Sequence, residues 1–322
     1  MSIDTAPAAP MLPARGPANL AVMGLTLALL GAALFATKGI VVKLALREGI
    51  DTVTTLAWRM IVAVPIFLVV GYLGYRKQLR ARPAGAGPIL TTGRLAAIAG
   101  VGILGYYVSS TLDFMSLKYI SAQFNRLILL TYPFFVVLFG AVFFRRRVTL
   151  PMVSALLVSY AGIAIIFWRD FSIEGHDVLF GASLVFLCAI TYAGYQILAK
   201  PLIDQVGAQL FTSLAMSAAG PVVVAQFLLT HPVGDLAITG NGFMLMLAIG
   251  TLSTVLPAYC ISAAICMIGP ERTAIIGNVS PVVTVMLAIF VLGEDFTLWH
   301  AAGTALVLGG VWLFTRRPRK AG

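Results

Sequence analysis

Four ionisable side chains stand inside apolar runs long enough to be bilayer-spanning helices: Lys38, Arg59, Asp113 and Arg126. Lys43 is a fifth, nearer the end of its run. A charge at the centre of a bilayer costs about 2.5–3.5 kcal/mol on insertion scales, so such residues persist where they line a cavity or pair. A rise of about 1.5 Å per residue puts Lys38 about 12 Å below the end of its helix, and Arg59, Asp113 and Arg126 about 6–8 Å below theirs. The four therefore fall in one layer. Asp113 and Arg126 lie on consecutive helices at similar depth and are the expected ion pair, either as a clamp between the helices or as part of a site. Lys38 and Arg59 then have no acidic partner within a span. Lys38 is expected to line a cavity, Arg59 to line it or to snorkel, and Lys43 to snorkel to the interface. An unpaired basic layer suits a bound molecule with a carboxylate or other anionic group, or a lipid headgroup.

Polar faces extend this candidate site. Tyr106, Ser110 and Asp113 recur at i, i+4 and i+7, one face of a helix. Tyr192, Tyr195 and Gln196 share another, and Asn278 precedes Pro281 by three positions. Pro281 leaves the carbonyl of Gly277 without its usual helical donor, and Pro133 does the same to Leu129. Breaks at matching places in two halves point to a binding region in a carrier, while the plain alternative for each proline is a packing kink. The aromatic residues have the same plain alternative, packing. Asp113 is the acidic candidate for proton coupling, although an arginine that holds it ionised makes it a poor proton carrier.

The elements that must position these residues are membrane helices. Of the 322 residues 60% are hydrophobic and 11% charged, and the mean hydropathy is +0.97. A soluble domain carries roughly 25% charged residues. Ten apolar runs are expected as spans, approximately 20–46, 54–75, 94–117, 121–144, 149–168, 178–199, 208–229, 242–267, 272–293 and 296–315. Residues 1–19 read as a disordered tail and 316–322 as a basic tail. Ten spans place both termini on one side. Putting that side in the cytoplasm gathers fifteen of the 22 basic residues there, among them Arg76, Lys77, Arg145–Arg147 and Arg316. Only Arg47, Lys118 and Arg169 fall on the other side, together with Glu48, Asp51, Glu294 and Asp295. The asymmetry implies cytoplasmic N and C termini. The net charge of +10 therefore sits in short loops, which argues against a nucleic-acid groove.

A repeat organises the spans. The stretch from Thr131 reappears 148 positions later, with Pro133 on Pro281, Thr149 on Thr297, Leu150 on Leu298 and Gly162 on Gly310. Gly24 and Lys43 match Gly181 and Lys200 at an offset of 157. Residues 20–168 and 178–315 are then five spans each. An odd number makes the copies inverted, the architecture of many secondary transporters.

The sequence "LAIGTLSTVLPAYCISAAICMIGPERTAIIGNVSPVVTVMLAIFVLGEDFTLWHAAGTALVLGGVWLF" resembles the C-terminal repeat of EamA-type transporters of the drug/metabolite transporter superfamily, through Pro281, Gly293, Glu294, Gly303 and Gly310. "LKYISA" at 117–122 and Pro133 carry the resemblance in the first half, where the Gly-Glu turn is replaced by Arg145–Arg147. The resemblance implies an all-α, ten-helix bundle of two inverted repeats around a central cavity, in a bacterial-type inner membrane. It also implies secondary transport, by analogy export, of a small organic metabolite that is amino-acid-like or otherwise anionic or zwitterionic. No phosphate-binding glycine loop accompanies it. No cofactor or metal is expected, since His176, His231 and His300 are scattered and Cys188, Cys260 and Cys266 lie in apolar runs. The lipid bilayer and a small-molecule substrate are the expected partners; a proton or counter-substrate fits as a coupling partner, and monomer and homodimer both fit. The competing classes are a lipid- or partner-binding membrane protein, favoured by a sealed apolar interior, and an integral-membrane enzyme.

Overall fold

The computed structural model describes residues 17–81, 88–144, 150–174, 176–268, 276 and 279–315. Asn278, the Arg145–Arg147 turn and residues 1–16 and 316–322 lie outside them. The described residues are helical, with no strand among them. In chain order the helices are α1 (Pro17–Arg47), α2 (Thr52–Arg80), α3 (Thr92–Ser116), α4 (Ala122–Leu129), α5 (Tyr132–Phe144), α6 (Leu150–Glu174) and α7 (His176–Val206). They continue as α8 (Ala208–Thr230), α9 (240–268), α10 (Ser280–Leu292) and α11 (Leu298–Thr315).

Six of these, α1, α2, α3, α7, α8 and the Gly240–Ile261 part of α9, are long and apolar enough to cross a membrane; Leu157–Arg169 and Ser280–Leu292 are shorter apolar helices. Several helices outrun the apolar stretches that announce them. The expected span 54–75 continues to Arg80, and 178–199 continues to Val206, because their polar ends remain helical. Helix starts carry their own signals. Asp51 accepts a hydrogen bond from Val53 N at 2.8 Å, Ser121 from Phe124 N at 3.1 Å and Thr239 from Gly242 N at 3.1 Å, each satisfying an amide that has no helical acceptor.

The packing repeats itself between the halves. α1 lies against α9 and α10, as α7 lies against α3 and the α4–α5 pair. α2 pairs with α8, and α6 with α11. Exchanging the two halves leaves this scheme unchanged. Large apolar residues face outward: Leu229 is 86% exposed, Phe290 77% and Met244 66%. A water-facing surface rarely carries so many together, whereas lipid is their natural surroundings.

Three helices contain a wide π-turn: Ile103–Val108 in α3, Thr251–Val255 in α9 and Ala288–Leu292 in α10. The first two begin 148 residues apart, at the offset of the sequence repeat, and follow Gly102 and Gly250. A Cβ on Gly102 would stand 2.5 Å from the carbonyl oxygen of Ala215, and one on Gly250 2.6 Å from Cβ of Val62. Each glycine lets its helix meet α8 or α2 at close range just before the backbone widens.

Candidate functional site

The expected layer of charge forms. Among the described residues the buried charged side chains are Lys38, Arg59, Asp113 and Arg126. Their partners differ from the expected ones. Lys38 Nζ is 2.6 Å from Asp113 Oδ2, so the ion pair joins α1 to α3 and is not Asp113 with Arg126. The other carboxylate oxygen, Oδ1, accepts from Asn125 Nδ2 at 3.1 Å, and the same Nδ2 donates to Ser116 Oγ at 2.7 Å. Asp113 is therefore held by a cation on one side and an amide on the other.

The two arginines are less well served. Arg59 Nε donates to Thr254 Oγ1 at 3.1 Å, and Thr254 Oγ1 donates to the Ile249 carbonyl at 2.7 Å. The Thr254 hydroxyl thus reaches back five residues, from within the π-turn to the residue two before it. Arg126 Nη2 donates to the carbonyl of Phe35 at 3.2 Å. Arg59 Nη1 and Arg126 Nε have no hydrogen-bond partner among the described residues. Aromatic faces cover part of the charge: Lys38 Nζ lies 5.1 Å from the Phe35 ring centre and 5.7 Å from that of Phe114. Arg126 shares the Phe35 ring at 5.2 Å and Arg59 the Phe114 ring at 5.6 Å. These distances are within cation–π range.

A tyrosine layer adjoins the charges toward the Arg76 end of the bundle. Tyr106 and Tyr195 share a hydrogen bond of 2.8 Å between hydroxyls. Tyr192 stacks on Tyr195 at 5.6 Å and meets Tyr132 edge-on at 5.1 Å. Gln196 hydrogen-bonds Tyr192. At the 157 offset, Tyr192 and Tyr195 occupy the places of Phe35 and Lys38. The two halves thus furnish equivalent positions differently, one with charge and the other with phenols.

Ser110 is buried beside Asp113, but the shared face of Tyr106, Ser110 and Asp113 is modified. Tyr106 sits within the π-turn, where the 3.6-residue period fails. The break expected near Pro133 is real: α4 ends at Leu129 and α5 begins at Tyr132. Pro281 stands in the first turn of α10 as described, not in mid-helix. Asn278 and the carbonyl of Gly277 lie outside the described residues.

Lys38 does not line the cavity at the Asp51 end. That cavity, of about 480 Å³, is lined among others by Lys43, Arg47, Lys118, Gln123, Glu294 and Asp295. Gln123 is three residues from Arg126, Leu117 (also lining) four from Asp113, and Lys43 five from Lys38. Its floor is therefore about 5–7 Å, roughly one helical turn, from the charged layer.

Glu294 closes the arrangement. Its carboxylate accepts from Ala122 N at 2.7 Å and Gln123 N at 3.3 Å, capping α4, and Gln123 Nε2 donates to the Asp295 carbonyl at 2.8 Å. Gly293 makes the turn with φ +66°, the left-handed region that favours glycine. The cap crosses from the second half to the helix that carries Asn125 and Arg126. Sequence reasoning missed Asn125, Thr254 and the two phenylalanines; a hint lay in the repeat, since Thr254 stands where Tyr106 stands in the first copy.

The model of the EamA-like transporter family matches residues 22–168 and again 179–316. The chain belongs to that family. It is a multi-pass membrane transporter protein. An uncharacterized transporter of Bacillus subtilis (strain 168), YcbK, is 28% identical over 304 residues, covering 91% of each chain. An uncharacterized transporter of Archaeoglobus fulgidus is 24% identical over 262 residues, covering 80% of this chain and 87% of its own. A solved crystal structure aligns with a TM-score of 0.58 at 17% identity, over 92% of this chain and 96% of that one, which speaks for the fold alone.

Proposed function

We propose that this EamA-family protein is a secondary carrier that moves a small organic metabolite, amino-acid-like or otherwise anionic or zwitterionic, by alternating access. Ten spans form two inverted five-helix repeats, residues 20–168 and 178–315, with both termini in the cytoplasm of a bacterial-type inner membrane. The family analogy suggests export. The observation that carries the reading is the charged layer: four helices, α1 to α4, each contribute a buried ionisable side chain, and those of α1, α3 and α4 stand about one turn from residues that line a cavity open at one end. Such a layer is costly in a bilayer and is characteristic of a substrate path. An interior of this kind does not fit the sealed apolar core of a lipid-binding alternative. The exchange-symmetric packing supplies the two states that alternation needs, since the same contacts rebuilt with the halves interchanged open the opposite end.

The test is transport by purified protein in liposomes, with a panel of radiolabelled metabolites and Lys38→Ala as the matched control. Saturable uptake or counterflow of one panel member, lost in Lys38→Ala protein that remains folded, is expected. Equal fluxes through both proteins would remove the charged layer from the path.

A further inference from the structure

Two guanidinium nitrogens, Arg59 Nη1 and Arg126 Nε, are buried without a hydrogen-bond partner among the described residues, on side chains of residues only 4% and 6% exposed. Asp113 does not serve either of them, because Lys38 takes Oδ2 and Asn125 takes Oδ1. Three cations thus share one carboxylate among the buried residues described, an excess of two positive charges. A desolvated cation with no counter-ion and an idle donor is unfavourable twice over, once for charge and once for the lost hydrogen bond. The excess is also divided. Arg59 lies on α2 against the Phe114 ring and Arg126 on α4 against the Phe35 ring, each sharing its ring with Lys38. Each place keeps a neutral helper: the Thr254 hydroxyl at Arg59 and the Phe35 carbonyl, which fixes the guanidinium, at Arg126.

Resting on the carrier reading above, we infer that the cargo is a small organic dianion with two separate carboxylates, one received by Arg59 and the other by Arg126. Lys38 and Asp113 are then a self-neutralised pair that spaces the two receptors and does not itself take the ligand's charge. Guanidinium groups suit this role because they stay charged when desolvated and present several donors in a fixed plane to a carboxylate. A zwitterion brings no net negative charge and a monocarboxylate only one, so each leaves at least one arginine uncompensated.

The experiment is equilibrium binding to the purified, full-length protein, followed by thermal shift and titration calorimetry. The probes are succinate, butyrate, succinamide, alanine and glycerol 3-phosphate. Succinate is expected to bind at least about tenfold more tightly than each of the others. In Arg126→Gln the excess falls to one, so succinate affinity should drop about tenfold while butyrate holds or gains, and the ratio between them should collapse. A gain for the monoanion is a result that misfolding cannot imitate. Arg59→Gln should give the same collapse, and serves alone if the first variant does not yield folded protein. Butyrate or alanine binding as tightly as succinate, a preference for glycerol 3-phosphate with its charge at one point, or an unchanged ratio in both variants would overturn the assignment. The two readings fail separately: succinate bound but never moved across liposomes sinks the carrier alone, and specific movement of a neutral or cationic compound sinks the dianion alone.

Discussion

Asp113 is the residue on which the buried charge depends, since its removal leaves three cations together with no anion. Breaking a buried pair by taking one partner away costs about 3–5 kcal/mol. Asp113→Asn should therefore strongly reduce the amount and melting temperature of folded protein. Lys38→Met with Asp113→Asn should recover part of the loss, with a coupling of about 0.5–3 kcal/mol in a double-mutant cycle followed by thermal unfolding in detergent. The same cycle between Asp113 and Arg126 should give a smaller coupling, because charge alone and no hydrogen bond or ion pair joins them; a larger coupling there than at Lys38 would contradict the geometry. Depth along each helix was legible from the sequence, which is why the four charges were placed in one layer. The pairing was not, because rotation about each helix axis is set by packing. Asn125 occupies the side of Asp113 that an arginine would need, and Arg126 turns instead to the carbonyl and ring of Phe35.

At the scale of helices, the informative features are interruptions. Sequence periodicity assumes 3.6 residues per turn, so it missed the π-turns at Ile103–Val108 and Thr251–Val255, although the repeat and the glycines before them were in view. It did find the break before Pro133, because a missing N–H is a property of one residue. Gly102→Val should be severely destabilising, since even its Cβ would meet the backbone carbonyl of Ala215 at 2.5 Å, and backbone has little room to yield. Loss of the monodisperse peak in size-exclusion chromatography checks this. The Glu294 cap predicts a graded series. Glu294→Ala removes the acceptor for Ala122 N and Gln123 N and should cost about 0.5–2 kcal/mol in thermal unfolding. Glu294→Gln keeps an oxygen but gives up the charge at the positive end of α4, so its loss should be smaller. Equal losses would mean that the charge, not the oxygen alone, makes the cap, and an undiminished Glu294→Gln would mean that the charge does nothing there.

At the scale of the molecule, orientation and the two ends become testable. A reporter fused after residue 322 should read cytoplasmic, and one inserted near Asp235 should read on the opposite side; the reverse pair would overturn the orientation, and the same side for both would overturn the inverted arrangement. At the Asp51 end the Asp51 carboxylate joins the α1–α2 turn to Lys118 and lies 3.4 Å from His231 Nε2. Burial works to raise the Asp51 carboxyl, but the hydrogen bonds from Lys118 and Val53 outweigh it and hold the group below the ordinary value of 3.8. A depressed carboxylate stabilises above that value and loses its effect only as the pH falls below it. The melting-temperature gap between wild type and Asp51→Asn should therefore stay level from neutral pH down to about pH 4 and close only in stronger acid. Overall helical class and the repeat were plain from composition and spacing, because they are summed over many residues. The cap from Glu294 was not, since nothing local to residue 122 announces it. That contact spans 172 residues of chain. At a synthesis rate of about 5–20 residues per second, the start of α4 waits roughly ten to thirty seconds for its acceptor to emerge. During that interval the first half must hold Arg126 in place without it, so the order of manufacture obliges the early half to be the more self-sufficient. The Lys38–Asp113 contact, made wholly within that half, meets the obligation.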